Sequence, residues 1–169
     1  MPTTKPEDLN PDERKKMHEF LSAHPVGVLA TVGPEGDPHA STIYFGVDED
    51  LNITFTTKHD TNKYKNIAAH NKVMLVVFDA ANQTAVQVSG SAEEVKDPEE
   101  INDIYHATLH AAKQTGEDIV PPIAKIAAGP YIGFKIKISN IWLSAYGWGD
   151  NFSNVLQHIN DSMPNVDPA

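Results

Sequence analysis

The apolar segments in the first half of this chain are joined by connections too short to hold a crossover. Val26–Val32 and His39–Phe45 are strand candidates separated by little more than Gly33-Pro34-Glu35-Gly36-Asp37. Asp48-Glu49-Asp50 turns the chain again before Asn52–Thr57, and Ala80-Ala81-Asn82-Gln83 turns it between Lys72–Asp79 and Thr84–Val95. A parallel crossover takes about a dozen residues or more, usually helical, so strands joined this tightly run antiparallel. The pattern does not look like alternating βαβ, because hairpin-length turns dominate the first half.

The rest of the pattern adds helices around those strands. Asn10-Pro11-Asp12-Glu13 offers an N-cap, a first-turn proline and a capping-box glutamate, followed by Met17, Phe20 and Leu21 at helical spacing up to about His24-Pro25. A short helix is expected over 62–70. Asp97-Pro98-Glu99-Glu100 opens a longer one with Ile101, Ile104, Tyr105, Thr108, Leu109 and Ala112 inward, ending at Gly116, and a turn of helix is expected within Pro122–Ala127. Val73–Phe78 is too continuously apolar for a half-exposed edge strand. Tyr131–Ser139 alternates, with Ile132, Phe134, Ile136 and Ile138 inward, and Ile141–Tyr146 reads as a separate last strand. Seven or so short strands with three inserted helices predict an α+β fold around a mostly antiparallel barrel or sandwich. At 169 residues a single domain over 1–169 is expected, with a loose polar lead over 1–9 and a weakly structured tail over 150–169, apart from a turn of helix near Phe152–Ile159.

Charge and composition restrict function. The net charge of −10 argues against nucleic acid or an anionic membrane surface as a partner, though it leaves room for a small anion at local lysines. The absence of cysteine excludes disulfides, thiol catalysis and thiolate metal sites. The polar start Met1-Pro2-Thr3-Thr4-Lys5 and the lack of any transmembrane-length apolar run make a cytoplasmic protein the expectation.

Chemistry concentrates in Ile53–Ile67. The segment reads as a strand ending in hydroxyls, Thr56 and Thr57, then a turn, then a helix capped by Thr61 with Asn62 and Lys63 in its first turn. Free N–H groups, hydroxyls and a lysine at one helix N-terminus suit a phosphate. The same residues also suit a plain capped helix with its lysines in water. Other constellations are weaker. His106 and His110 share a helical face, but no Glu follows His106 and no third ligand is evident, so no metal site is expected. No Gly-x-Ser-x-Gly elbow and no glycine-rich nucleotide fingerprint occurs. Trp142 and Trp148 read as core or interface residues.

Three segments together carry a family resemblance. Gly27–Val32, the Gly-x-x-Gly turn around Pro34, and Pro38–Phe45 are similar to the pyridoxamine 5'-phosphate oxidase-like flavin proteins. So are Thr57–Val77, with Thr61-Asn62-Lys63 opening a short helix, and Val86–Glu93. The resemblance covers about residues 15–95 well and is best to the general-stress-like branch. It implies an FMN-binding split β-barrel with peripheral helices, usually a homodimer with flavin at the subunit interface. It places Thr57, Thr61, Asn62 and Lys63 at the FMN phosphate, Ser41, Thr42 and Ile43 beside the isoalloxazine ring, Thr56 on the neighbouring strand, and Gln87 as a further ring contact.

Departures from the family pattern narrow the expected function. Ala40 and Asn62 stand where pyridoxamine phosphate oxidase has arginines, Ala85 where it has a glutamine, and the C-terminal Arg-Leu-His-type signature is missing. The chain's one arginine is Arg14. A substrate phosphate therefore lacks its bidentate partner, and vitamin B6 oxidation is not expected. The resemblance implies a cytoplasmic FMN oxidoreductase acting on a small molecule, with no catalytic side chain named because the ring carries the electrons. Alternatives are a deazaflavin-dependent reductase, a non-catalytic flavin-binding stress protein, and a structural domain with an incidental anion site.

Overall fold

In the computed structural model the described residues are 4–116, 119–125 and 130–145. Local chemistry sets the first helix, α1 (Pro11–Ala23). Asn10 accepts the Glu13 N–H at 2.9 Å while Glu13 accepts the Asn10 N–H at 3.0 Å, so two orphan donors are satisfied reciprocally. The strands are β1 (Val26–Val32), β2 (Pro38–Tyr44), β3 (Gly46–Val47), β4 (Ile53–Lys58), β5 (Lys72–Asp79), β6 (Thr84–Glu94) and β7 (Tyr131–Ala145). Helix α2 (Asn62–Ala69) follows β4, and α3 (Pro98–Gln114) and the single turn α4 (Pro122–Lys125) lie between β6 and β7.

The strands form one antiparallel sheet in the order β2-β1-β5-β6-β7-β4-β3. β2 and β3 stand at opposite ends of that order, yet only Phe45 separates them in sequence. Neighbouring strands lie about 4.8 Å apart and one residue spans at most ~3.6 Å, so one residue cannot cross a flat seven-stranded sheet. The sheet must curl until its ends meet. Phe45, 1% exposed, sits at that closure, and its N–H donates to the Pro25 carbonyl at 3.1 Å.

The closure is incomplete, and this creates the split. β3 pairs with β4 as Gly46↔Thr54 and Val47↔Ile53. Continued at that register, Tyr44 would face Thr56 and Ile43 would face Thr57. No ladder forms there among the described residues, and β2 and β4 part. The fold is thus an α+β split barrel. Its core holds Leu29, Leu75, Val77, Val86, Val88 and Ile141 with the stacked pair Phe55–Phe134 at 5.4 Å, and α1 plugs it with Met17 and Leu21.

Three sequence expectations change. β7 is one strand, not two. Ser139 is the extra residue of a bulge between the pairs Gly90↔Ile138 and Ser89↔Asn140, so the inward set passes from Phe134 and Ile136 to Ile141 without a chain break. A Cβ at Gly90 would collide with the Lys137 carbonyl oxygen, so glycine lets the bulged strand approach. The described part of the lead is also held. Ile141 N–H donates to Thr4 O at 2.9 Å, Arg14 donates to Pro6 O at 2.7 Å, and Leu9 packs on the core. The third concerns β5. It lies between β1 and β6 as an apolar run should, but only Val73, Leu75 and Val77 face the core. Phe78 is 60% exposed and Val28 on β1 45%, on the face that the described residues leave uncovered. The expected strand at Ile141–Tyr146 is described only to Ala145; Trp148 and the expected turn of helix at 152–159 lie outside the described residues.

Candidate anion and ring site in the split

β4 carries its hydroxyls into the split. Thr56 and Thr57 are 5% and 1% exposed because the core covers one face of the strand and α3 the other. Thr56 donates to Thr108 Oγ1 at 3.3 Å, and Thr108 in turn donates to Ile104 O at 2.9 Å. Past the turn, Thr61 caps α2: its Oγ1 accepts the Tyr64 N–H at 3.3 Å. The same hydroxyl donates to Lys58 O at 2.8 Å and lies 2.9 Å from Thr57 Oγ1. A hydroxyl has one proton, and Thr61 has committed its own to Lys58. Thr57 is therefore the donor in the pair, and its O–H is the one an incoming anion can redirect.

Helix α2 is aimed by a buried polar contact. Asn66 Nδ2 donates to Thr31 Oγ1 at 3.0 Å, both groups buried, and Ile67 packs into the core beside them. This fixes the helix so that its N-terminal turn opens on the split. Lys63 in that turn is half-buried, and burial pushes its amine below the ordinary lysine range. Among the described residues it makes no ion pair. The neighbouring cation is used differently: Lys58 Nζ lies 4.3 Å over the Tyr131 ring. The Tyr131 hydroxyl is raised above its usual range by its hydrogen bond to Tyr105, with burial adding to the effect.

Together these elements enclose a cavity of about 90 Å³. Thr42, Ile43 and Tyr44 line it from β2, Thr56 and Thr57 from β4, and Thr61 and Lys63 from the start of α2. Thr108 of α3 and the Pro121–Pro122 pair close the remaining side. Of the nine residues expected from sequence, six line this cavity: Thr42, Ile43, Thr56, Thr57, Thr61 and Lys63. Ser41 is the next residue along β2, half-buried, and Asn62 is exposed; neither lines the cavity. Gln87 is three strands from β2, in the cross-strand row Thr42–Val28–Val76–Gln87–Trp142 on the uncovered face. At about 4.8 Å per strand it is roughly 14 Å from Thr42, outside the cavity of its own chain.

Four lining residues were not foreseen. Tyr44 adjoins the expected 41–43 run, and Thr108 was read correctly as an inward helix position, so a signal existed for both. Pro121 and Pro122 carry none, since nothing local says where the α3–β7 connection passes. His106 and His110 are exposed on α3, and among the described residues no three His, Cys, Asp or Glu side chains cluster as a metal site. No helix among the described residues is long and apolar enough to cross a membrane.

The family model described as pyridoxamine 5'-phosphate oxidase matches residues 14–144. The chain is 29% identical over 109 residues to a 5a,11a-dehydrotetracycline/5a,11a-dehydrooxytetracycline reductase of Streptomyces rimosus subsp. rimosus, covering 62% of this chain and 68% of the reductase. It is 34% identical over 88 residues to the pyridoxine/pyridoxamine 5'-phosphate oxidase of Azorhizobium caulinodans, 52% of this chain but only 41% of the oxidase. Among solved structures, an F420 reductase superposes with a TM-score of 0.57 at 26% identity, covering 75% of this chain and 94% of that one.

Proposed function

Because this chain belongs to the pyridoxamine 5'-phosphate oxidase family, we propose that it is an oxidoreductase whose split holds FMN, with the flavin phosphate at Lys63. The observation that carries this reading is a half-buried lysine with no ion pair among the described residues, at a helix N-terminus, beside a redirectable hydroxyl. A cation left in that position at a cost in desolvation is what an anion site requires. The residues fit the rest of a flavin as well. Where β2 and β4 part, neither strand has a ladder partner on the facing edge among the described residues, so backbone N–H and C=O groups there can meet the polar edge of the ring. Ile43 and Tyr44 supply apolar surface beside them.

When bound, the flavin supplies hydride or electron transfer to a small-molecule substrate. The chain's own residues bind the phosphate, orient the ring and exclude water. Among the described residues, Lys63 and Tyr44 are the titratable side chains that line the cavity, and no protein acid or base is assigned. Vitamin B6 phosphate oxidation is not part of the proposal. Arg14 is the chain's only arginine, and its guanidinium is engaged by the carbonyls of Pro6 and Asp50. The chain also spans less than half the length of the curated oxidases it matches.

A cavity of about 90 Å³ is small beside the roughly 300–1,000 Å³ of sites that enclose a whole cofactor. A second copy seated on the uncovered face that bears Val28, Val76 and Phe78 would complete the site and bring its own Gln87 toward the ring. The proposed form is therefore a cytoplasmic homodimer with a flavin at each subunit boundary. A deazaflavin is the second reading, favoured by the likeness to the F420 reductase. Mass spectrometry of the small molecules released from purified protein tests both. FMN is expected. A deazaflavin would replace the first reading, and neither molecule, together with no quenching of added FMN fluorescence, would defeat both.

A further inference from the structure

The hydroxyls that line the cavity do not all direct their protons the same way. Thr56 of β4 and Thr108 of α3 are both buried, and both line it. The direction of their hydrogen bonds is set from the far end. The Ile104 carbonyl can only accept, so Thr108 spends its proton there, at 2.9 Å. Toward Thr56 the Thr108 hydroxyl is then an acceptor, and Thr56 spends its own proton on it at 3.3 Å. Both protons are thus committed within the protein, while lone pairs remain on both oxygens. The other end of the cavity is the reverse, with the Lys63 ammonium and the redirectable Thr57 O–H as donors beside the first turn of α2.

We propose that Thr108 is a positioning residue of this site: by fixing Thr56 as an acceptor, it makes the α3 side of the cavity a receptor for an O–H or N–H of the ligand. The bound molecule then has one orientation, its anion toward Lys63 and a donor toward Thr56. An anion turned the other way would meet lone pairs alone, away from water, and would lose its hydrogen bonds. The sugar-alcohol chain of a flavin carries such hydroxyls, and its ring carries an N–H. The proposal rests on the flavin reading above and adds to it a residue from outside the strand–turn–helix segment. Under a role in packing alone, the methyl group of Thr108 would matter and its hydroxyl would not.

The test is titration of flavin-free protein with riboflavin, FMN and lumiflavin, followed by flavin fluorescence, in wild type and in Thr108→Val and Thr108→Ser variants. Valine keeps the shape and removes the hydroxyl; serine keeps the hydroxyl and removes the methyl group. Thr108→Val frees the Thr56 proton to turn into the cavity, where it opposes the ligand's own donor. Riboflavin and FMN affinities are expected to fall together by about tenfold. Thr108→Ser, which still bonds the carbonyl four residues back, is expected to stay within about threefold of wild type. In a Thr56→Val background Thr108→Val is expected to add little, because the hydroxyl it positions is gone; full additivity overturns the proposal. Lumiflavin, the ring without the chain, locates the donor: unchanged binding assigns it to the chain, and a matching loss assigns it to the ring. A folded Thr108→Val protein, by circular dichroism, that binds riboflavin within about twofold of wild type overturns the proposal and leaves the FMN site standing. A serine variant as impaired as the valine one does the same. Thr108→Ala substitutes, with the same expectation, if Thr108→Val does not fold. Failure of both riboflavin and FMN to bind wild-type protein defeats the flavin reading itself, and the proposal with it.

Discussion

Lys63 and the two threonines beside it have separable roles. Lys63→Ala is expected to weaken FMN binding by about 1.5–3 kcal/mol, the range for hydrogen bonds to charged groups, and to leave riboflavin binding nearly unchanged. Equal losses for both ligands would remove the lysine from the phosphate. Its titration gives a second prediction. Burial holds the folded-state pKa below the ordinary 10.5, so between those two values the unfolded chain binds a proton that the folded chain does not. Stability of the flavin-free protein therefore rises with pH across that window, and below it the full cost of the buried ammonium is present. Lys63→Met is expected to be more stable than wild type at pH 7, with the difference shrinking toward pH 10.5. Urea midpoints at both pH values check this, and a less stable variant at pH 7 would mean the ammonium is stabilised in the empty protein. The threonines differ because of where their protons go. Thr61→Val removes the α2 cap, a loss of about 1 kcal/mol in stability. Thr57→Val leaves the cap in place and acts mainly on FMN affinity.

At the scale of elements, the site depends on contacts that touch no ligand. The Asn66–Thr31 hydrogen bond holds α2 against β1 and so aims the helix N-terminus at the split. Asn66→Ala strands a buried hydroxyl and is expected to cost about 1–3 kcal/mol of stability, and FMN affinity should fall with it although Asn66 does not line the cavity. Thermal melts with and without FMN measure both effects. The bulge at Ser139 matters likewise, since it allows β7 to pair with β6 along its length and with β4 through its first half. Gly90→Ala places a methyl group against the Lys137 backbone, which cannot rotate away as a side chain would. Overpacking of this kind typically costs about 1–3 kcal/mol. Unchanged melting would show that β7 stands farther from β6 at the bulge.

The whole molecule has an imbalance between its two sheet faces. The inner face is sealed, while Val28, Val76 and Phe78 lie on an outer face that no other described element covers. Burying a side chain such as Phe78 fully is worth about 1.5–3 kcal/mol, a contribution that a second copy's association has to add to others before it outweighs the freedom lost. Light scattering of flavin-loaded protein is expected to give twice the 18.5 kDa chain mass. Phe78→Asp should shift it toward the monomer and weaken FMN binding at the same time. A flavin-loaded monomer would place the complete site within one chain.

Elements and pairing direction were legible in the residues because they follow from short-range physics. The Asn10–Glu13 capping box, the Asp97 cap, the hairpin-length turns and the period-two pattern of Tyr131–Ile138 act within a few positions of chain. The grouping of Thr57, Thr61 and Lys63 on one side of the cavity was legible for the same reason, since the three lie within one strand–turn–helix segment. The bulge was not, because Ser139 becomes an extra residue only against the register of β6. Nor were the parting of β2 from β4, the place of Pro121 and Pro122 in the cavity lining, or the position of Gln87 on the outer face of the sheet. Each of these depends on where a curled sheet brings distant segments, and that is set by closure of the barrel through Phe45 and the packing of α3 and α4 over β4, which no local pattern encodes.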